Sequence, residues 1–251
     1  MRVEVRDVSK RFGRVMALSN VTLVIPQGSR VGLVGPNGSG KSTLLRAIMG
    51  LVACDGSVLL DGRSPFERRL DVAQKLAYVP QVAPQFGAPV GEIVRSVEML
   101  RSLDRAAITT AAQTMSLDLK TIWRRPFRHL SGGMKQKLLI TLAFSTGASL
   151  LILDEPAASL DFRSRESLSH LLGKVAAETT VILCSHRFND VREQARRIVS
   201  LAEGCVVHDG PLADSLEERD LVADDKSQEK PSDASFVVAP YSSSEWGGRH
   251  G

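Results

Sequence analysis

No stretch of this chain approaches the roughly 18 consecutive apolar residues that a bilayer-spanning helix needs, so no segment is expected to cross a membrane. The opening Met1-Arg2-Val3-Glu4-Val5 alternates like a strand and lacks the apolar region of a signal peptide. Both absences predict a protein of the cytosol or of the cytosolic face of a membrane. Cysteine is scarce. Cys54, Cys184 and Cys205 are odd in number, far apart and without metal-ligand spacing, which argues against a disulfide framework and for small buried residues in a reducing compartment. Strong charge of one sign is missing as well. A net charge of +4 over 251 residues is too weak to argue for nucleic-acid binding, although the acidic stretch Leu212–Lys230 leaves the body before it more basic than the total. There is no internal repeat, and the length suits one large or two small domains with a buried core.

What is present is concentrated in a few short segments. Gly35-Pro36-Asn37-Gly38-Ser39-Gly40-Lys41-Ser42 fits the phosphate-loop pattern G-x-x-x-x-G-K-[ST] at every fixed position. The apolar run Arg30–Val34 before it reads as a buried strand, and Thr43–Met49 after it as a helix ended by Gly50. The glycines let successive N–H groups turn towards phosphate oxygens, and the helix N-terminus adds its positive end. Lys41 is expected to reach the β- and γ-phosphates of a nucleoside triphosphate, and the Ser42 hydroxyl to ligate Mg²⁺.

Around this loop the chain changes character twice. Val3–Val5, Val21–Ile25 and Ser57–Leu60 read as short strands of an antiparallel piece, and Leu76–Val79 as a strand stopped by Pro80. From about Pro84 to Arg128 the period is helical: Val90–Leu103 and Ala106–Leu117 carry apolar residues three and four apart, such as Ile93, Val97 and Leu100. Alternation then resumes, with helices at Met134–Phe144, Arg163–Ala177 and Asn189–Ala195 and strands at Leu150–Leu153, Thr180–Cys184 and Arg197–Leu201. That order predicts a parallel sheet covered by helices. Gly204–His208 reads as a last strand followed by an Asp209-Gly210 turn, and beyond about Asp224 the composition is that of a disordered tail.

Leu150-Leu151-Ile152-Leu153-Asp154-Glu155 is an apolar strand ending in two carboxylates. Such a strand delivers them to the carboxyl edge of a sheet, where Asp154 would hold Mg²⁺ and Glu155 would act as general base on an attacking water. Leu130-Ser131-Gly132-Gly133-Met134-Lys135-Gln136 opens another helix with two glycines after a serine, a second anion-binding N-terminus. One nucleotide already has its phosphate cradle, so a second cradle suggests a site shared between two chains.

With these residues the sequence resembles the ATP-binding-cassette (ABC) ATPases over about residues 1–210. Ser131, Gly132 and Gly133 match the family signature, which closes over the γ-phosphate held by a partner subunit. Gly35–Ser42, extended by Thr43, matches Walker A, and Asp154 and Glu155 match the Walker B aspartate and the catalytic glutamate. Phe12 matches the aromatic residue that stacks on adenine. Gln81 matches the glutamine that senses Mg²⁺ and the attacking water. Asp161, in Ser159-Leu160-Asp161, matches the loop that crosses the dimer interface, and His186 the switch histidine that contacts the γ-phosphate. Met134 stands where the family usually has glutamine, and Ala157-Ala158 replaces commoner polar and glycine residues. Both departures touch the subunit interface and neither removes a catalytic position.

The resemblance implies an α/β P-loop NTPase fold with a mostly parallel core sheet, an N-terminal antiparallel β subdomain and a helical insertion. It implies an ATPase domain over residues 1–215, with the helical subdomain at about 84–130, followed by a short acidic helix and disordered tail at 216–251. ATP and Mg²⁺ are the implied ligands. The implied partners are a second cassette chain, identical or related, and a separate transmembrane permease subunit at the cytoplasmic face of the membrane, with no direct nucleic-acid binding. The Gly-Gly-Met-Lys-Gln form of the signature leans slightly to export. The alternative is a soluble, non-transport cassette of the cluster-assembly kind; the long coiled coil of chromosome-associated members and the paired cassettes of translation factors are absent.

Overall fold

Period-two alternation builds the first sheet. In the computed structural model, which describes residues 1–67 and 69–212, β1 (Val3–Phe12) turns Val3, Val5 and Val8 inward. β2 (Val15–Ile25) does the same with Val21, Leu23 and Ile25. β1 pairs antiparallel with β2 on one side and with β4 (Asp55–Leu60) on the other. These strands run further than the expected segments. Asp7 is left-handed, at φ 50°, and the β1–β2 register shifts between Val5 and Val8. A bulge of this kind breaks the alternation in sequence while the pairing continues in space.

The second sheet carries the site. Its order is β5-β6-β7-β3-β8-β9, formed by β3 (Arg30–Val34), β5 (Leu76–Val79), β6 (Leu150–Asp154), β7 (Thr180–Ser185), β8 (Arg197–Ala202) and β9 (Cys205–Pro211). Every neighbouring pair is parallel except β8–β9. β6 and β7 are buried along their whole length because both faces are covered, which is why they read as continuous apolar runs. Alternate residues sort to two cores. Leu150, Ile152 and Ile182 pack on the side of α1 (Lys41–Ile48) and the first sheet, whereas Leu151, Leu153, Val181 and Leu183 face the other layer of helices.

Between β5 and β6 the chain is helical: α3 (Val90–Arg101), α4 (Arg105–Thr114), α5 (Leu119–Ile122), a 3₁₀ turn at Phe127–His129 and α6 (Gly132–Ser145). After β6 come α7 (Phe162–Gly173) and, beyond β7, α8 (Asn189–Arg192). α7 and α8 end earlier than their sequence periodicity suggests. α2 (Arg69–Lys75) and α5 were not anticipated; each buries a single side chain, Val72 and Ile122, too little to leave a period. The expected turn at Asp209-Gly210 is instead part of β9, where Asp209 pairs with Val199 and binds Arg197 across the strands at 2.6 Å. The expected terminal helix and tail at 216–251 lie outside the described residues. Among the described residues no helix is long and apolar enough to cross a membrane.

Candidate nucleotide site

Two register pairs, Val34 with Ser185 and Asp154 with Cys184, bring the carboxyl ends of β3, β6 and β7 to one edge. Open α/β sheets take their ligands outside that edge. The phosphate loop leaves β3 through Gly35, whose φ is 147° and whose added Cβ would stand 2.1 Å from the Leu201 carbonyl oxygen. Only glycine fits there. The loop ends in Gly40, a left-handed N-cap of α1 without a side-chain cap bond. The first amides of α1 are therefore left to an external acceptor. Lys41 is nearly buried, and its ammonium folds back over the loop to donate to the carbonyls of Gly35 at 2.6 Å and Pro36 at 2.9 Å.

Asp154 closes β6 beside the loop. Its Oδ2 accepts from the Ser42 hydroxyl at 3.2 Å and from the Tyr78 hydroxyl at 3.4 Å. Burial, and next the Asp154 charge, push the Tyr78 phenol up to about 12. The Cys184 thiol, buried on the neighbouring strand, is pushed up by the same two causes. Tyr78 escaped the motif reading because its partner is fixed by β5–β6 adjacency, which no local pattern reveals.

Glu155 follows in a left-handed conformation at φ 49°, uncommon for a residue with a side chain. Its amide bonds back to the Cys184 carbonyl at 2.9 Å. Oε1 accepts from the His186 amide at 2.7 Å and lies 2.8 Å from His186 Nδ1, while Oε2 is 3.3 Å from the Ser185 hydroxyl. The structure thus joins two of the sequence-identified residues, Glu155 and His186, into one hydrogen-bonded pair. It adds Ser185 and Asp190, which no motif marks.

The remaining candidates lie around this group. Phe12 is exposed at the end of β1, with the Lys10 ammonium 5.1 Å over its ring. Gln81 is exposed just past β5. Ser131 caps α6, accepting from the Met134 amide at 3.3 Å, and Gly132 and Gly133 form the first turn. An added Cβ on Gly133 would meet the Ser159 carbonyl oxygen at 3.1 Å, and Gln136 donates to the Pro156 carbonyl at 3.4 Å. The start of α6 therefore packs on the segment that follows Glu155. Asp161 caps α7 through the amide and hydroxyl of Ser164, which hold its carboxyl below the usual range. Within one chain these residues do not bond to Lys41, Ser42, Asp154, Glu155 or His186.

The family model described as ABC transporter matches residues 18–158. A probable sulfate/thiosulfate import ATP-binding protein of Chlorella vulgaris is 32% identical over 219 residues, covering 84% of this chain and 91% of that protein. A solved ATP-binding subunit of an ABC transporter aligns with a TM-score of 0.78 at 27% identity, over 85% of this chain and 91% of its own. An ATP-binding cassette solved as a dimer in a post-hydrolysis state, with ADP and phosphate bound, aligns at 0.72 and 27% identity over 84% and 98%. The phosphate loop on β3, the carboxylates at the end of β6 and the histidine after β7 stand in a fold and a sequence that these proteins share, and on that ground the chain belongs to the ABC transporter family and is an ATP-binding, ATP-hydrolysing cassette.

Proposed function

We propose that this cassette works with a second cassette chain, identical or related, in a head-to-tail pair that holds two ATP molecules at its interface. The observation behind this reading is the pair of glycine-led helix N-termini, α1 and α6, in a chain with a single nucleotide loop. Each ATP would lie between Gly35–Thr43 of one chain and Ser131, Gly132 and Gly133 of the other. Phe12 would stack on the adenine, and Asp161 would sit where the two chains cross.

Glu155 would take the proton of the attacking water, a contribution of about 10²–10⁴-fold in rate. His186 would face the γ-phosphate, and Gln81 would sense the water and the metal. Mg²⁺ fits the Ser42–Asp154 pair, whose hard oxygens already meet at 3.2 Å. Asp154, Ser42 and Gln81 would hold it together with the phosphates; bound there, it would offset the charge of the triphosphate.

Residues 1–215 would form the ATPase domain, with 84–130 as a helical subdomain that docks on a separate transmembrane permease at the cytoplasmic face of the membrane. Exposed Val82 and Phe86, beside Pro84 and Pro89, supply an apolar surface suited to a helix of that partner. The Met134 variant of the signature leans the direction of transport to export.

Glu155→Gln tests this reading. It keeps the side-chain shape but cannot take a proton, so turnover should fall by about 10²-fold or more. In saturating ATP and Mg²⁺ the variant should be a dimer by light scattering, alone or with the cassette that co-purifies with it. A variant that stays monomeric overturns the pair, and undiminished turnover overturns Glu155 as the base.

A further inference from the structure

Both carboxylate oxygens of Glu155 are occupied. Oε1 is held by the amide and ring of His186, and Oε2 stands 3.3 Å from the Ser185 hydroxyl. The same hydroxyl is 3.1 Å from Asp190 Oδ2 and accepts from the Arg187 amide at 3.1 Å. A serine hydroxyl has one proton to donate. Two carboxylates therefore compete for it, and it can serve only one at a time.

Burial decides which. Glu155 is 6% exposed and Ser185 2%, whereas Asp190 is open to solvent. Water can solvate Asp190, so the buried Glu155 gains more from the bond, although Asp190 stands slightly nearer, at 3.1 Å against 3.3 Å. A base must meet its water, and a buried carboxylate that turns out towards the nucleotide edge leaves its present partners behind. For Glu155 this means releasing Ser185, which would strand a buried donor unless another acceptor is within reach. Asp190 is that acceptor. Turning the hydroxyl about its Cβ–Oγ bond moves the proton from one carboxylate to the other without displacing a heavy atom. A cavity of about 150 Å³, lined by Glu155, Ser185 and Asp190 among others, adjoins these three side chains.

We propose that Asp190 is a positioning residue for Glu155: it takes over the Ser185 hydroxyl when Glu155 swings out to the reacting water, so that Ser185 is a two-position hydrogen-bond switch. No covalent bond changes, and the proton stays on Ser185 throughout. The inference rests on the reading of Glu155 as the base.

Steady-state ATP hydrolysis by the full chain with Mg²⁺-ATP tests it. Asp190→Ala should lower kcat about tenfold, within the range set by an orphaned buried hydroxyl, with KM for ATP nearly unchanged. Asp190→Asn keeps an acceptor oxygen and should recover most of that loss. In a Ser185→Ala background, where no proton remains to be stranded, Asp190→Ala should change kcat by less than about twofold. Equal losses in both backgrounds, a loss that Asp190→Asn does not recover, or no loss at all would overturn the switch. Glu155→Gln, measured alongside, separates the two levels. If it hydrolyses ATP normally, the base reading fails; if it is inactive while Asp190→Ala is silent, only the switch fails.

Discussion

Tyr78 shows how one side chain ties the site to stability. Its phenol is half-buried and donates to Asp154, so ionising it would place two negative charges together out of water. The folded-state value is raised from 10 to about 12, so between those values the unfolded chain ionises first and binds fewer protons. Stability from this residue is complete below pH 10 and is lost as pH rises towards 12. Thermal melts across that window should therefore fall less steeply for Tyr78→Phe than for the natural chain; parallel slopes would show that Tyr78 is not the group responsible. At this scale the sequence was readable wherever a motif names its residue, as at Lys41, Ser42, Asp154 and Glu155. Tyr78, Ser185 and Asp190 were not, because their partners come from other strands or from another turn. Ser185 lies beside His186 in every reading of the sequence, yet only the pairing of β6 with β7 brings it to Glu155.

Among the elements, α6 is where folding and function meet. Ser131 spends its hydroxyl on the Met134 amide, and the two glycines after it leave the helix start bare of side chains. Ser131→Ala should cost about 1 kcal/mol of stability through the lost cap, read as a lower urea midpoint at an unchanged m-value. If α6 also closes on a partner's nucleotide, the same variant should weaken ATP-dependent pairing of the Glu155→Gln chain. Normal pairing alongside a lowered midpoint would confine Ser131 to the cap. The elements were legible in proportion to what they bury. β6 and β7 are buried throughout and were readable to within a residue, whereas α2, with Val72 alone inside, left no period. β9 was misread at Asp209-Gly210, whose turn-like composition is overridden by pairing with β8 and the Arg197 ion pair.

At the scale of the whole molecule, the core sheet separates two hydrophobic bodies among the described residues. Residues of β6 alternate between them, Leu150 and Ile152 to one and Leu151 and Leu153 to the other. The same two-residue step continues into Asp154, which faces Ser42 and Tyr78, and the left-handed turn at Glu155 then sends its carboxylate to Ser185 and His186. Any of the four leucine or isoleucine positions can exchange one aliphatic side chain for another of similar volume at modest cost. Adding or deleting one residue is another matter. It would turn the aliphatic side chains on one side of the change towards the wrong body and carry both carboxylates off their partners in a single event. The strand thus tolerates a change of spelling far better than a change of length.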